Sequence, residues 1–514
     1  MRIGPRPPLQ AARWRRSWLW IVPLALLPTC TTSRESVAPS ERTAHHGFLR
    51  REGRLPNILL LTIDTLRSDH VAGQDASFSG LTPHLDHLAA IGCVFVHATS
   101  PAPATRPALA ALMTGTYPGR HSVFSNRHRL RPDAPTLAQM LKRAGYATTA
   151  LYGNAVLLPE QSGFQRGFDR YEAFVPKRGP PSDAHGTDLA IAFLDHPSAR
   201  MSRTGSPERA KKEASPQPWF LWLHLMSPHG PYDSAPEPPE VTTPRIDPLP
   251  DVDLPRHSSN YGLGVLPKYQ SLRRVPARAS AYRERYREEV FFADAQVGRV
   301  LRLLEDRGLL SSTLLIVSAD HGESLGEHDL FFQHGWLPNE ASVHVPLIWS
   351  LPGAVRSGHR VAENVSLVDV LPTLAAGLGL PLPPKIEGRD LSAALAGAEL
   401  KEASVFSLTA YPNQVTAIRR GDWKLIHTPA PPKPLPEDSW RDFYPREESF
   451  ALFDLRTDPG ELRDLRSQAP DRAASLRAEL LRWERRNGIP SGSRAPPEVD
   501  PATKERLRAL GYLD

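Results

Sequence analysis

The sequence predicts an α/β fold with a large, mostly parallel central sheet, and three observations support this prediction. Short, continuous apolar runs recur along the first 320 residues, as expected of strands that are buried on both faces. Patterns typical of amphipathic helices separate these runs, and such alternation is characteristic of parallel sheets. Several runs end at an acidic residue or a histidine, and open sheets of this kind bind ligands at the carboxyl ends of their strands.

Four strands and three helices carry most of this pattern. The strands are predicted at NILLLTID (57–64), YATTALYG (146–153), PWFLWLHL (218–225) and TLLIVSAD (313–320). The helices are predicted at TPHLDHLAAIG (82–92), TLAQMLKRAG (136–145) and YREEVFFADAQVGRVLRLLEDRG (286–308). The last segment repeats apolar residues at spacings of three and four and ends at a glycine, which indicates a helix with a defined stop.

The N-terminus has the pattern of an export signal. Five arginines within the first sixteen residues precede SWLWIVPLALLP, an apolar run of about twelve residues. A basic segment followed by ~7–15 apolar residues is typical of such signals, whereas a membrane-spanning helix needs ~20. Cys30 follows directly and predicts a lipidated cysteine after a signal peptide at residues 1–29; a plain secreted form and a short uncleaved anchor are the alternatives. We therefore expect an exported protein that is periplasmic, anchored at the membrane through Cys30, or secreted, with a polar tether at residues 30–55.

Charge and cysteine content exclude two classes of protein. The formal net charge is +6, but the five N-terminal arginines supply most of it and about +1 is left without them, so no nucleic-acid partner is expected. The other cysteine, Cys93, lies in the apolar run CVFV and is predicted to be a core residue. One remaining thiol excludes an internal disulfide framework.

The pattern changes near residue 405. Short β-like pieces, DWKLIHT and SFALFDL, are followed by a charged amphipathic helix near 468–486. We interpret residues 56–405 as the catalytic domain and residues 406–514 as a smaller α+β subdomain. Two proline-rich or charged segments, 198–217 and 233–280, are predicted to be loops, and the second is a candidate frame for a substrate entrance.

Three residues at predicted strand ends are candidate metal ligands. Asp64 ends the first strand, where a lone buried carboxylate is costly unless it is paired or bound to a metal; an N-cap for the following turn is the alternative. In VSADHGESLGEH a strand delivers Asp320 and His321 next to each other, and a glycine then allows a sharp turn. Carboxylate and imidazole ligands suit a divalent cation such as Ca²⁺, Mg²⁺, Mn²⁺ or Zn²⁺.

Four further polar residues are candidates for contact with a substrate or for a structural role. His229, in SPHGPY, is held in a proline-rich turn, which suits a general acid that must meet a leaving group. His224 lies inside an apolar strand and is predicted to be a core histidine. The Asn154 amide closes another strand and is placed to donate to a developing oxyanion, with a plain asparagine turn as the alternative. His334 is expected to contact an anionic substrate.

These motifs resemble those of the sulfatase-type hydrolases of the alkaline phosphatase superfamily. The matching pieces occur in family order and cover about residues 56–514: PNILLLTIDTLRSDH, PALAALMTGTYPGRHSV, SGFQRGFDRYEAF, SPHGPY, DAQVGRVL, SADHGESLGEH, VPLIWSLPG, SLVDVLPTLAAGLGLP and LFDLRTDPGELRDL. The resemblance implies an alkaline-phosphatase-like α/β sandwich with a smaller C-terminal subdomain. It also implies one divalent metal, by family Ca²⁺, which activates a nucleophile for attack on sulfur or phosphorus through a covalent intermediate.

The sequence departs from the sulfatase pattern at the nucleophile. True sulfatases carry C-x-P-x-R, whose first position lies nine residues ahead of a Thr-Gly pair. Counting back from Thr114 places Thr105 at that position, Pro107 at the proline and Leu109 where the arginine belongs. Threonine is not converted to formylglycine, the modified residue that sulfatases use. Thr65 likewise stands where a second metal-binding aspartate is usual.

Together the departures resemble the phosphodiesterase branch of the superfamily, and Asn154 lies near the position of the sulfatases' lysine. For the missing arginine two outcomes are open: Arg106 compensates from the other side of the loop, or the site is impaired.

Threonine chemistry favours phosphoester or phosphonate cleavage over sulfate cleavage. Coordination to a metal activates a hydroxyl, and the resulting phospho-threonine is hydrolysed by water, whereas a sulfo-threonine lacks the second hydroxyl that would expel sulfate. We therefore predict a hydrolase with Thr105 as nucleophile and fourth metal ligand. Asn154 and His334 would contact the non-bridging oxygens of a small-molecule or glycan ester, and His229 would protonate the leaving group. The alternatives are a true sulfatase for aryl or carbohydrate sulfates and a non-catalytic member that binds a glycan.

Overall fold

A nine-stranded mixed sheet forms the centre of the structure, a computed structural model that describes residues 47–71, 80–175, 182–195, 217–235, 249–260, 262–409, 414–430 and 447–488. The strands are β1 (Asn57–Ile63), β2 (Cys93–Thr99), β3 (Ala147–Tyr152), β4 (Arg170–Ala173), β5 (Trp219–Leu225), β6 (Thr313–Ala319), β7 (Ser324–Leu325), β8 (Phe331–Gln333), β9 (His344–Val345), β10 (Leu347–Ser350), β11 (His359–Ser366), β12 (Val405–Thr409), β13 (Val415–Arg420), β14 (Trp423–Thr428) and β15 (Ser449–Asp454).

Eleven helices connect these strands within the described residues. They are α1 (Pro83–Ile91), α2 (Thr105–Thr114), α3 (Pro118–His121), α4 (Leu137–Arg143), α5 (Pro159–Ser162), α6 (Asp183–Asp195), α7 (Ala279–Asp306), α8 (Glu340–Val343), α9 (Val370–Leu378), α10 (Ser392–Leu395) and α11 (Pro470–Asn487). Of these, α1, α4, α7 and α11 lie at the segments that the sequence predicts to be helical. The long helix α7 begins seven residues before the predicted segment. No helix among the described residues has the length and apolar character needed to cross a bilayer.

The central sheet runs in the order β11-β2-β10-β6-β1-β5-β3-β4, and β9 pairs with β2. Strands β6, β1, β5, β3 and β4 are mutually parallel, as are β11 and β2, whereas β10 runs antiparallel to both of its neighbours. Every residue of β5 and β6 is buried, which explains why these strands are continuous apolar runs rather than alternating ones. The predicted α/β fold with a large, mostly parallel sheet is confirmed.

Two predictions about single residues have different outcomes. Cys93 is fully buried at the start of β2, and the prediction of a core residue is confirmed. Part of the predicted tether, by contrast, packs against the sheet domain: Leu49 is fully buried and the Gly47 amide donates to the Ala376 carbonyl. Residues 47–55 are therefore not a free tether. The predicted signal peptide, Cys30, residues 31–46, nearly all of the loop at 198–217 and residues 236–248 of the second loop lie outside the described residues.

The C-terminal part of the chain forms a second, antiparallel sheet in the order β12-β13-β14-β15. Helix α11 packs on it, and a second apolar cluster joins this sheet to the region around α2. In that cluster Phe406 and Trp483 stack with ring centroids 4.7 Å apart, and the Tyr117 ring meets both edge-on. All described residues belong to one compact unit, and the division into domains at residue 405 stays a prediction.

A buried charge network also joins the antiparallel sheet to α8. The Lys424 Nζ atom on β14 lies 2.8 Å from a carboxylate oxygen of Glu340 and 2.8 Å from one of Glu461, and Arg419 lies 2.7 Å from Glu340. Burial acts to raise the pKa of Glu340, but Lys424 and Arg419 outweigh it, so the pKa lies below its ordinary value. The two carboxylates therefore depend on a lysine side chain that is only 2 % exposed.

Lys424→Met is expected to cost about 3–5 kcal/mol of unfolding free energy, because it leaves two buried carboxylates without their shared cation. Urea unfolding measures the loss. Arg420→Met is the matched control: it removes a half-exposed cation from the next strand, whose carboxylate partners lie 3.6 Å and 3.7 Å away, and should cost less than about 1 kcal/mol. Equal losses in the two variants would contradict the role assigned to Lys424.

Candidate active site

Two neighbouring strands of the central sheet, β1 and β6, deliver the candidate metal ligands to one edge. Ile63, the last residue of β1, pairs with Leu225 of β5 and with Ala319 of β6. The residues that follow β1 and β6, Asp64 and Asp320, therefore emerge side by side. The carboxyl ends of parallel strands must meet in this way, which is the basis of the prediction.

Asp64, Asp320 and His321 form a cluster that fits a divalent cation. One ligand atom of each lies within 4.8 Å of those of the other two, and all three side chains are fully buried. Asp64 Oδ1 and Asp320 Oδ2 lie 3.6 Å and 3.5 Å from His321 Nε2, and neither oxygen has a hydrogen-bond partner within the described part of the chain. The His321 Nδ1–H donates to the Gly322 carbonyl, so the lone pair of Nε2 faces the two oxygens. Buried oxygens left in this state are costly unless a cation binds them.

The other oxygen of Asp64 is held by two side chains. Asn154 Nδ2 donates to Asp64 Oδ2 over 2.6 Å, and His224 Nε2 lies 3.4 Å from the same oxygen. Burial acts to raise the pKa of Asp64, but His229, His224 and His321 outweigh it, so the pKa lies below its ordinary value and the carboxylate is ionised. Oδ1 is thereby left to face the cluster.

Asp320 is held from the opposite side by backbone groups. Its Oδ1 accepts from the His321 amide over 2.9 Å and from the Thr65 amide over 3.3 Å. Burial and the neighbouring Asp64 carboxylate raise the pKa of Asp320 well above its ordinary value. Two carboxylates that repel each other in this way favour binding of a cation, because the cation relieves the repulsion between them.

His224 is a fully buried histidine, as predicted, and it also supports the cluster through Asp64. The Trp222 Nε1–H donates to Thr62 Oγ1 over 3.0 Å, and Thr62 Oγ1 lies 2.8 Å from His224 Nδ1. Since the hydroxyl accepts from the indole, its own proton is available to His224 Nδ1. The ring then carries its proton on Nε2, directed at Asp64.

Thr62→Val is expected to weaken metal affinity by about 10- to 100-fold, because it removes the hydroxyl that orients His224 and, through it, Asp64. Calorimetric titration of the metal-free protein with Ca²⁺ or Mn²⁺ measures the change. Thr148→Val is the matched control, since the buried Thr148 hydroxyl bonds Gly167 and Asp169, outside the cluster. Unchanged affinity in the Thr62 variant would contradict this assignment.

Thr105 lies beside the cluster at the start of a helix. It is the first residue of α2, is fully buried, and its Oγ1 lies 3.4 Å from His321 Nε2. Because His321 Nε2 carries no proton, the threonine hydroxyl is the donor. At the N-terminus of a helix, the helix dipole favours a developing negative charge.

The structure does not support compensation by Arg106 for the missing motif arginine. The buried Arg106 guanidinium donates to the carbonyls of Val156 and His128 and to Gln161, so it is committed to the surrounding loops. Leu109 is fully buried within the main apolar cluster. Of the two outcomes left open by the sequence, compensation by Arg106 is therefore not supported, because the packing directs its side chain at these carbonyl groups.

Two further histidines, His334 and His229, lie next to the cluster. The His334 ring lies 4.5 Å from the His321 ring and 5.0 Å from the His229 ring, measured between centroids. His334 Nδ1 contacts Glu323 over 3.1 Å; burial acts to lower its pKa, but Glu323 outweighs this and the pKa is raised. The His229 Nδ1–H donates to the Gly230 carbonyl, and burial lowers the pKa of His229. An anionic ester between the two rings would favour their charged forms.

The sequence analysis missed the part played by Glu323, and the structure gives Thr65 and Gly322 roles other than those expected from the sequence. Glu323 lies in the motif VSADHGESLGEH, but the sequence does not show that its side chain points toward His334. Thr65 adopts a left-handed backbone with φ of 56°, which is strained for threonine and aims its amide at Asp320. Gly322 is required for close approach rather than for a special dihedral, because a Cβ there would lie 2.1 Å from the Ala341 carbonyl oxygen.

A buried hydroxyl beside two carboxylates and a neutral imidazole, at the carboxyl edge of a parallel sheet, fits the site of a hydrolase that uses a divalent metal. Comparison with known proteins then identifies the family. The sulfatase profile matches residues 56–380, and the profile of the N-sulphoglucosamine sulphohydrolase C-terminal region matches residues 326–485. The chain belongs to the sulfatase family and is an ester hydrolase.

The relatives include enzymes of more than one specificity. A choline-sulfatase of Rhizobium meliloti is 28% identical over 451 residues, which cover 80% of this chain and 82% of the relative. Arylsulfatase K of Xenopus laevis is 26% identical over 432 residues, covering 77% of each. Among solved structures, the phosphonate monoester hydrolase of Agrobacterium radiobacter matches with a TM-score of 0.62 at 22% identity, covering 84% of this chain and 96% of that one. This last likeness concerns the fold.

Proposed function

We propose that the protein cleaves phosphodiesters or phosphonate esters with Thr105 as the nucleophile, in place of the formylglycine of true sulfatases. The observation that carries the proposal is the position of the Thr105 hydroxyl, 3.4 Å from a metal-ligand candidate and buried at the start of α2. A threonine ester of phosphate can be cleared by water, whereas a threonine sulfate has no second hydroxyl to expel its sulfate. Thr105 therefore favours phosphorus over sulfur.

Asp64, Asp320, His321 and the Thr105 oxygen are the residues that would hold one divalent ion. Bound there, the ion would lower the pKa of the Thr105 hydroxyl and polarise the ester. His321 is suited to this role because burial lowers its pKa to about 3, so the ring stays neutral. One of the two N–H groups of Asn154 Nδ2 donates to Asp64. We propose that the other N–H group donates to a non-bridging oxygen of the substrate.

His334 and His229 would bind the substrate's charge and protonate its leaving group, respectively. His334, paired with Glu323, supplies positive charge for the non-bridging oxygens of the substrate. His229 delivers a proton from Nε2 to the leaving oxygen, since its Nδ1 is committed to Gly230. The proton must reach Nε2 once an anionic ester is bound, because burial keeps the free enzyme's ring neutral. The ester is a small molecule or a glycan.

Sulfate ester hydrolysis is the second candidate, and the names of the relatives favour it. The choline-sulfatase and arylsulfatase K matches span most of the chain, and the C-terminal profile is that of an enzyme for a sulfated amino sugar. In this alternative the same cluster acts on an aryl or carbohydrate sulfate with an unmodified threonine. The export of the protein, with lipidation at Cys30, remains a separate proposal.

A substrate panel distinguishes the two candidates. Purified protein loaded with Ca²⁺, Mn²⁺ or Mg²⁺ is assayed with bis-4-nitrophenyl phosphate, 4-nitrophenyl phenylphosphonate, 4-nitrophenyl phosphate and 4-nitrophenyl sulfate, which share one leaving group. We expect the highest kcat/KM for the diester or the phosphonate. A higher kcat/KM for the sulfate would overturn the proposal in favour of the second candidate. Metal binding without turnover of any ester would instead indicate a protein that only binds its ligand.

A further inference from the structure

Two buried acids outside the metal cluster hold the loop that carries His229. The loop leaves β5 at Met226 and runs to Ala235, and His229 lies near its middle. Asp183, the first residue of α6, and Glu289, in the middle of α7, are each 1 % exposed. Within the described part of the chain, neither carboxylate forms a hydrogen bond with Asp64, Asp320 or His321, and neither has a role in the proposed reaction.

Each acid accepts backbone hydrogen bonds from one end of the loop. Asp183 Oδ1 accepts from the Met226 amide over 2.8 Å and Oδ2 from the Ser227 amide over 2.7 Å, on the incoming side. On the outgoing side, Glu289 Oε1 accepts from the amides of Ser234 and Ala235 over 2.6 Å and 2.8 Å.

The two acids meet at Ser227, two residues before His229. The Ser227 amide bonds Asp183, as above, and its hydroxyl donates to Glu289 Oε2 over 2.7 Å. Burial raises the pKa of Asp183 to about 6 and that of Glu289 to about 7. Keeping either acid ionised at these buried positions therefore costs free energy, which an exposed carboxylate would not.

We infer that Asp183 and Glu289 are positioning residues for the general acid: they fix both ends of the loop and so set the place of His229 Nε2 relative to the leaving oxygen. The inference rests on the proposed function, in which His229 protonates that oxygen. Proton transfer requires a separation of about 2.6–3.2 Å, and a misplacement of about 1 Å can cost on the order of 10²-fold in rate.

The chemistry of the two acids predicts opposite results for the matching amides. In Glu289→Gln, Oε1 still accepts from both backbone amides, and the new NH₂ group donates to the Ser227 hydroxyl, which accepts equally well. In Asp183→Asn, both original oxygens faced backbone N–H groups, so the NH₂ group must confront one of them. Glu289→Gln should therefore retain the contacts of the loop, and Asp183→Asn should break one.

Leaving groups of different basicity provide the test. Activity of metal-loaded enzyme is measured with phenyl phenylphosphonate, whose leaving group needs a proton, and with 4-nitrophenyl phenylphosphonate, whose leaving group hardly does; the two corresponding aryl sulfates are used if the panel selects sulfate. Glu289→Ala should lower kcat/KM for the phenyl ester by about 10- to 100-fold and for the nitrophenyl ester much less. Glu289→Gln should stay within about threefold of wild type for both. Adding Glu289→Ala to His229→Ala should cause no further loss, because Glu289 acts only through His229.

Equal losses on the two esters, or losses that add to those of His229→Ala, would overturn the inference and leave the proposed function intact. If His229→Ala alone treats the two esters alike, the acid role of His229 falls and the inference falls with it. Ser227→Ala provides a milder variant should Glu289→Ala fail to fold. It removes only the hydroxyl contact and should shift the two esters in the same unequal way, and an equal shift would again overturn the inference.

Discussion

Asp320→Asn is expected to abolish the response to metal and to lower kcat/KM by on the order of 10³-fold or more, since even residues behind the metal ligands contribute about 10- to 100-fold. The substitution keeps Oδ1 as acceptor for the His321 and Thr65 amides, so the local backbone is preserved. It replaces the unpartnered Oδ2 by an NH₂ group, which binds no cation.

The same substitution should raise the thermal stability of the metal-free protein. In wild type, burial and repulsion by the Asp64 carboxylate raise the pKa of Asp320 well above its ordinary value. A neutral amide removes this repulsion, so the Tm of the metal-free variant should exceed that of metal-free wild type. Wild type should gain about 2.7 kcal/mol at a metal concentration 100 times Kd, and the variant should gain nothing.

Differential scanning calorimetry with and without Ca²⁺ measures both effects. Asp294→Asn is the control, because Asp294 is an equally buried carboxylate that bonds the backbone of His84 and Leu85 away from the site. It should lower Tm but retain the full metal response. A metal-dependent rise in Tm that persists in Asp320→Asn would contradict the proposed cluster.

Thr105→Val should lower kcat by on the order of 10³-fold or more, because it removes the attacking oxygen while keeping the shape of the side chain. Thr105→Ser keeps the hydroxyl and should retain activity within about tenfold of wild type. Steady-state kinetics on 4-nitrophenyl phenylphosphonate measure both, and circular dichroism confirms that the variants fold. Valine should pack without strain, since Thr105 is fully buried and its methyl group is retained.

The contrast between serine and valine separates a nucleophile from a structural residue. A packing role would make valine the better substitute, whereas a chemical role makes serine the better one. Substantial turnover in Thr105→Val would mean that a water molecule attacks the ester directly and that Thr105 only lines the site.

The strands and the metal cluster could be predicted from the sequence because one physical rule governs both. A strand buried on both faces must be apolar along its length, so β1, β5 and β6 are visible as continuous runs. A charged residue that ends such a run must find a partner, which made Asp64 and Asp320 candidates. Thr105 could be located only by counting within a motif, since nothing in its own neighbourhood distinguishes it from an ordinary helix start.

Contacts between distant segments could not be predicted in the same way. The role of His224 follows from the β1–β5 register, which sets it opposite Thr62 and next to Asp64. Asp183 and Glu289 lie on helices far along the chain from each other, and their carboxylates could equally have faced solvent. The direction of Arg106 depends on the carbonyl groups of His128, Val156 and Gln161, which lie 22 to 55 residues further along the chain. Each of these is a property of tertiary packing, which a local pattern does not encode.

Trapping the covalent intermediate tests the nucleophile most directly. Metal-loaded enzyme turning over 4-nitrophenyl phenylphosphonate is quenched in acid and digested, and its peptides are analysed by mass spectrometry. We expect the phosphonyl group on the peptide that contains Thr105, with fragment ions that place it on that side chain, and no such adduct in Thr105→Val. Active turnover with the adduct on another residue, or with none at any quench time, would contradict the mechanism.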